Sequence, residues 1–149
     1  MRYRNRKIHL AAPLLAGLLF SGCGDGITFP PVFDDSLGID LATMTKTASG
    51  LYYQDLALGS GDPVEVWEEA TVAYTGWLAN GIMFDSGSFT FTVGTGGVVP
   101  GFDEGVRGMR VGGKRKLVLP PEVGYGKEGR GAIPANSTLI FEVELQKIG

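Results

Sequence analysis

Two residue types that dominate enzyme active sites are almost missing here: the 149 residues include one histidine, His9, and one cysteine, Cys23. A Ser-His-Asp triad, a Cys-His dyad, a zincin helix and a cysteine-ligated zinc site each need residues that positions 24–149 do not contain. A calcium site made only of carboxylates stays open, although no D-x-[DN]-x-[DN]-G loop occurs to support it. No metal and no cofactor is therefore expected. The run Gly124-Tyr125-Gly126-Lys127-Glu128-Gly129 matches the dinucleotide fingerprint G-x-G-x-x-G. It is followed by Arg130-Gly131-Ala132-Ile133-Pro134 instead of a phosphate-capping helix, and no βαβ unit surrounds it, so it reads as a flexible loop. Chemistry that needs neither imidazole nor thiol is what remains.

The lone cysteine has its own context. A basic tip (Arg2, Arg4, Arg6, Lys7) precedes an apolar stretch from Ile8 to Phe20, the pattern of a secretory signal. That stretch holds 13 residues including Pro13. A bilayer-spanning helix needs roughly 20. The segment Leu18-Leu19-Phe20-Ser21-Gly22-Cys23 resembles the bacterial lipobox, with Phe20 where that pattern prefers Leu; the resemblance implies acylation of the Cys23 thiol. The expected organisation is a signal peptide over 1–22, a flexible tether over 23–46 and one domain over 47–149. Gly24 after Cys23 resembles the pattern of lipoproteins sorted to an outer membrane, which implies a lipid-anchored envelope location on its periplasmic face where the cell has one. In such a cell the sequon Asn136-Ser137-Thr138 carries no meaning. Removing the four basic residues of the tip leaves nine Lys+Arg against sixteen Asp+Glu, a net charge near −7. Such an acidic surface repels phosphate backbones, so no nucleic-acid partner is expected.

The elements that must position any site follow from local pattern. Leu51–Leu58 reads as a strand closed by the turn cluster Gly59–Pro63. Thr71–Leu78 is rich in β-branched and aromatic residues; Asn80-Gly81 predicts a type I′ hairpin turn, returning through Met83–Ser86, with a further short run at Phe89–Val93. Phe102, Val106 and Met109 stand at i, i+4 and i+7, with Pro100 first and Asp103 and Glu104 in the first turn, which predicts one short helix ended by Gly112-Gly113. Lys114–Leu119 and Thr138–Leu145 alternate as half-buried strands. Four or five antiparallel strands with one helix make an α+β unit whose apolar sheet face wraps that helix. Trp67 and Trp77 are expected to pack in the core or at an edge.

One distributed pattern remains: Val72-Ala73-Tyr74-Thr75-Gly76, Gly81 with Phe84-Asp85-Ser86, Val98-Val99-Pro100-Gly101-Phe102, Gly108-Met109, Gly112 to Arg115, Tyr125-Gly126, Ile133-Pro134 and Thr138 to Leu145. In these residues the chain resembles the FKBP-type peptidyl-prolyl cis-trans isomerases, from about Thr47 to Gly149. The resemblance implies a curved antiparallel sheet, a half-barrel, clasping one short helix. It also implies an apolar pocket lined by Tyr74, Phe84, Asp85, Phe89, Val98, Val99, Tyr125, Ile133 and Phe141, with Phe102 as its floor; Asp85, Tyr125 and Phe102 would carry the reaction and the others would bind substrate. On pattern alone Tyr74, Phe89 and Phe141 would be core residues and Asp85 a turn acid.

Two departures from the family stand out. Phe102 occupies a floor position where smaller members often carry Trp. The segment between Asp85 and Phe89 is several residues shorter and lacks the arginine that commonly pairs with the pocket aspartate, so a less firmly oriented Asp85 and modest turnover are expected. The implied activity is isomerisation of prolyl bonds in cell-envelope proteins, with proline-containing segments as partners, macrolides as possible inhibitors and the lipid membrane contacted through Cys23. A catalytically weak chaperone or proline-segment binding module is the alternative on the same fold, and a purely structural envelope role is a third.

Overall fold

The computed structural model describes residues 31–149. The expected signal segment, Cys23 and residues 24–30 lie outside the described residues. Six strands, all paired antiparallel, form one curved sheet: β1 (Thr45–Lys46), β2 (Tyr52–Ala57), β3 (Glu69–Leu78), β4 (Met83–Thr92), β5 (Lys114–Leu119) and β6 (Leu139–Ile148), in the spatial order β1-β2-β5-β6-β3-β4. The one α-helix among the described residues, α1 (Pro100–Val106), lies against its concave face. Strict alternation in β5 and β6 sends Leu117, Leu119, Leu139, Phe141, Val143 and Leu145 to that face, where they meet Phe102 and Val106. Each fully buried leucine among them contributes about 1.5–3 kcal/mol by leaving water.

The helix is short and depends on the sheet for its position. A Cβ at Gly105 would stand 2.6 Å from the side chain of Leu117, so the helix backbone lies directly on β5. The Arg115 guanidinium donates to the carbonyls of Gly105 (3.0 Å) and Arg107 (3.1 Å), pairs with Asp55 (2.6 Å) and stacks on Tyr53. It thereby satisfies two carbonyls at the helix C-terminus, which is the negative end of the helix dipole. The helix stops at Val106, earlier than the predicted Gly112-Gly113. Gly108 turns the chain at φ 80, and its N–H goes to the Val64 carbonyl; Met109 is buried just beyond the helix and not within it.

The β3–β4 hairpin forms as predicted, but its turn differs. Gly81 alone adopts a positive φ (84); its N–H bonds to the Leu78 carbonyl, and the Leu78 N–H bonds to the Ile82 carbonyl. This is a three-residue loop with glycine in the left-handed position, whereas type I′ would require Asn80 to be left-handed too. Beyond it, Met83–Ser86 and Phe89–Val93 are not separate runs: β4 is one ten-residue strand. At the other end, the Trp67 N–H bonds to the Val93 carbonyl and the Val93 N–H to the Glu68 carbonyl, placing Trp67 (φ 78) in the left-handed position of a bulge usually taken by glycine. That bulge turns its indole outward, 74% exposed, contrary to the packed position expected of it.

The expected tether needs the largest correction. Residues 33–46 pack on the convex face of the sheet: Leu37 and Met44 form a second buried cluster with Val118 and Ile140, flanked by Phe33, Ile39, Leu41, Tyr52, Trp77 and Ala79. A single 3-10 turn, Asp35–Leu37, is capped by the Asp34 carboxylate and by Gly38. Lys116 donates to the Leu37 carbonyl at 2.7 Å, and β1 pairs with the outer edge of β2. The physical reason is visible in β5 and β6: Val118 and Ile140 put apolar side chains on the face that otherwise carries Lys116, Glu142 and Glu144, and that surface needs a cover.

Candidate active site

Four elements converge at one end of the concave face. β3 supplies Tyr74, β4 supplies Phe84, Asp85 and Phe89, and β6 supplies Phe141. The approach to α1 and its first turn supply Val98, Val99 and Phe102. Tyr125 follows the 3-10 turn Pro121–Val123. Together they line a cavity of about 390 Å³, the size range of small-ligand sites. Phe102 is 3% exposed and forms the floor, with its ring centroid 5.2 Å from that of Phe141, 5.8 Å from Phe89, 6.0 Å from Phe91 and 6.1 Å from Tyr74. Edge-to-face and tilted contacts of this kind lock the rings against one another. Gly76 makes the wall possible. A Cβ there would stand 2.6 Å from the Phe84 ring and 2.8 Å from that of Phe141, and those two rings meet at 5.6 Å across it.

Asp85 is held at two points. The Tyr74 hydroxyl donates to its Oδ2 at 2.6 Å and the Ser86 N–H to its Oδ1 at 2.9 Å. The expectation of a loosely oriented Asp85 is therefore corrected: Tyr74 and the backbone do the orienting that the absent arginine would have done. The bond to Asp85, then burial, then the charge of that carboxylate push the Tyr74 phenol up to about 12, so it is a proton donor throughout the physiological range. The Tyr125 hydroxyl has no hydrogen-bond partner among the described residues and is free to donate to a ligand. Ile133 belongs to the same core cluster as Phe102 and Phe141 but lies behind the cavity wall. It is buried in the concave core and does not line the cavity; its N–H and C=O are both bonded to Arg130.

Three features were not read from the sequence. Gly96 and Gly97 form part of the cavity wall, and Arg130 stands at its rim with its guanidinium over the Tyr125 ring. Asp103, buried at 6%, accepts from the Gly94 N–H (2.7 Å) and the Gly96 N–H (3.4 Å), pinning that glycine-rich segment to the turn of helix that carries Phe102. The helix-dipole argument placed Asp103 in the first turn without revealing this second use. The dinucleotide-like run is closed by hydrogen bonds, Gly129 N–H to the Tyr125 carbonyl and Asn136 N–H to the Gly126 carbonyl, and so is built as tight turns and not as the expected flexible loop.

Comparison with known proteins decides the family. The model of the FKBP-type peptidyl-prolyl cis-trans isomerases matches residues 56–146. The chain belongs to that family. An FK506-binding protein of Neisseria meningitidis serogroup B is 51% identical over 105 residues, covering 66% of this chain and 96% of that protein. The peptidyl-prolyl cis-trans isomerase FKBP15-3 of Arabidopsis thaliana is 42% identical over 120 residues, covering 76% of this chain and 84% of its own. Among solved structures, AtFKBP13 superposes with a TM-score of 0.67 at 34% identity, covering 71% of this chain and 98% of that one. The α+β half-barrel around one short helix and the FKBP-type isomerase assignment thus stand together.

Proposed function

We propose that this protein accelerates cis/trans isomerisation of prolyl bonds in cell-envelope proteins, using the aromatic cavity as a desolvating clamp for the proline. The observation that carries the reading is the buried Phe102 floor ringed by Tyr74, Phe89 and Phe141. Amide resonance sets a barrier of ~18–20 kcal/mol, and X-Pro bonds exchange uncatalysed over tens to hundreds of seconds. At the twisted transition state resonance is lost and charge separation falls. An apolar, dehydrated pocket favours that state over the planar, more polar ground state, and no bond is made or broken. Tyr125 donates its free hydroxyl to a substrate carbonyl. Asp85 fixes the Tyr74 ring that forms one wall and presents its carboxylate edge to the rotating carbonyl carbon. The same cavity is suited to FK506-type macrolides.

The envelope location rests on the segment ending at Cys23, with acylation of its thiol supplying the anchor. One acyl chain gives only marginal membrane binding, so stable attachment calls for more than one. The functional reading is tested by refolding a protein whose slow phase is set by proline isomerisation, with this protein present at a small fraction of its concentration. The slow phase is expected to accelerate in proportion to added protein and to return to its uncatalysed rate with a macrolide present. Binding that slows or leaves unchanged the slow phase would favour a holding module instead.

A further inference from the structure

Arg130 is the only cation among the described residues that line the cavity, and its backbone is hydrogen-bonded on both sides. Its N–H donates to the Ile133 carbonyl and its carbonyl accepts from the Ile133 N–H, both at 2.9 Å, while Ile133 itself is buried in the core. The preceding Gly129 (φ 66) leaves no room for a side chain, since a Cβ there would stand 2.3 Å from the Ile133 oxygen. The arginine is thus mounted on a two-bond bridge to a buried residue, with its guanidinium 5.8 Å from the Tyr125 ring centroid. It makes no ion pair among the described residues. Asp85, the one anion in the lining, accepts one hydrogen bond at each carboxylate oxygen, from Tyr74 and from the Ser86 N–H, and is not ion-paired with Arg130.

An exposed guanidinium at the mouth of a pocket lined mainly by aromatic and aliphatic side chains, with no ion pair of its own, is a recognition element for a carboxylate. We propose that Arg130 sets substrate preference, selecting prolyl bonds with a glutamate or aspartate next to the proline. This rests on the assignment of the cavity as the proline site. The proline ring fills the aromatic floor; the Cα of either neighbouring residue is only about 3.8 Å from the proline Cα, so its side chain leaves the cavity at the rim where Arg130 stands. Guanidinium recognises carboxylate with a planar fork that lysine lacks. Because the pair forms in solvent, its effect on catalytic efficiency is about two- to fivefold, the upper part of the range measured for exposed ion pairs.

The test compares catalytic efficiencies of the full chain on matched tetrapeptides, Glu against Gln immediately before proline and Glu against Gln immediately after it. A Glu/Gln ratio of about two to five at one of these flanks is expected. That ratio is expected to fall to about one in Arg130→Gln, to survive in part in Arg130→Lys, and to collapse in the wild type at 1 M salt, where screening acts within about 3 Å. Circular dichroism checks each fold, and the salt series needs no variant at all. Ratios near one at both flanks, or a preference unchanged in Arg130→Gln, overturn the role of Arg130 while leaving prolyl isomerisation itself in place. Failure to catalyse any of the peptides removes both.

Discussion

Replacing Phe102 with alanine removes the floor of the cavity, and the structure sets the size of the effect. The ring is 3% exposed and touches four other aromatic rings, so its loss is expected to destabilise the domain by about 3–5 kcal/mol, a large share of the ~5–15 kcal/mol of a typical domain. The effect on activity is separate. A proline ring seated on Phe102 buries three methylenes at about 0.8 kcal/mol each. If one face or both faces of that burial are lost to water, catalytic efficiency falls by roughly eight- to sixtyfold. Tyr125→Phe removes one hydroxyl whose hydrogen bond contributes about 1 kcal/mol, or roughly fivefold. Asp85→Asn, which weakens the hold on Tyr74 while leaving the floor intact, is expected to fall between them. Phe102→Leu keeps an apolar floor at smaller cost in stability and is expected to retain most activity. The assay is the protease-coupled isomerisation of a prolyl tetrapeptide, with urea unfolding and circular dichroism on each variant. A folded Phe102→Ala within twofold of the wild type refutes the desolvation argument.

Tyr74 is expected to ionise near pH 12 in an ultraviolet absorbance titration, and Asp85→Asn to bring it back toward 10. Since the folded state holds this proton more tightly than the unfolded chain, the stability it contributes is complete below pH 10 and is lost as pH rises from about 10 to 12. Leu37→Ala is expected to lower stability by about 2–3 kcal/mol in urea denaturation, because it opens the convex cluster over Val118 and Ile140, with catalytic efficiency unchanged because the cavity is on the other face. Cys23→Ala is expected to release the protein from membranes or stall its processing; an unmodified Cys23 thiol found by mass spectrometry in the mature protein would contradict the anchor.

The concave half of this fold was legible because its residues obey one period each. Alternation in β5 and β6 and the i, i+4 pair Phe102 and Val106 both point inward, so strand, helix and core follow from the pattern. The convex cover was not legible. Residues 33–46 hold only a single 3-10 turn and a two-residue strand, too short for any period, and the signal lay instead in Val118 and Ile140 interrupting a polar face. Asp85 illustrates a different limit. The family resemblance placed it at the site, where pattern alone read a turn acid, and its orientation comes from a hydroxyl 11 positions away on the paired strand, a contact set by the β3–β4 register. Arg130 and Asp103 act through short-range loop closures, to Ile133 and to Gly94 and Gly96, made with backbone groups that no residue pattern announces.

The central claim is that catalysis comes from desolvation in an aromatic pocket, without a titrating imidazole, a thiol or a metal. It is met most directly by measuring kcat/KM on a prolyl tetrapeptide from pH 6 to 8, with and without a chelator. Residues 24–149 contain no histidine, the side chain that ordinarily titrates in that window, so a flat profile that the chelator leaves unchanged is predicted. A rate that rises or falls through a single titration in this range, or that disappears on chelation, would contradict it.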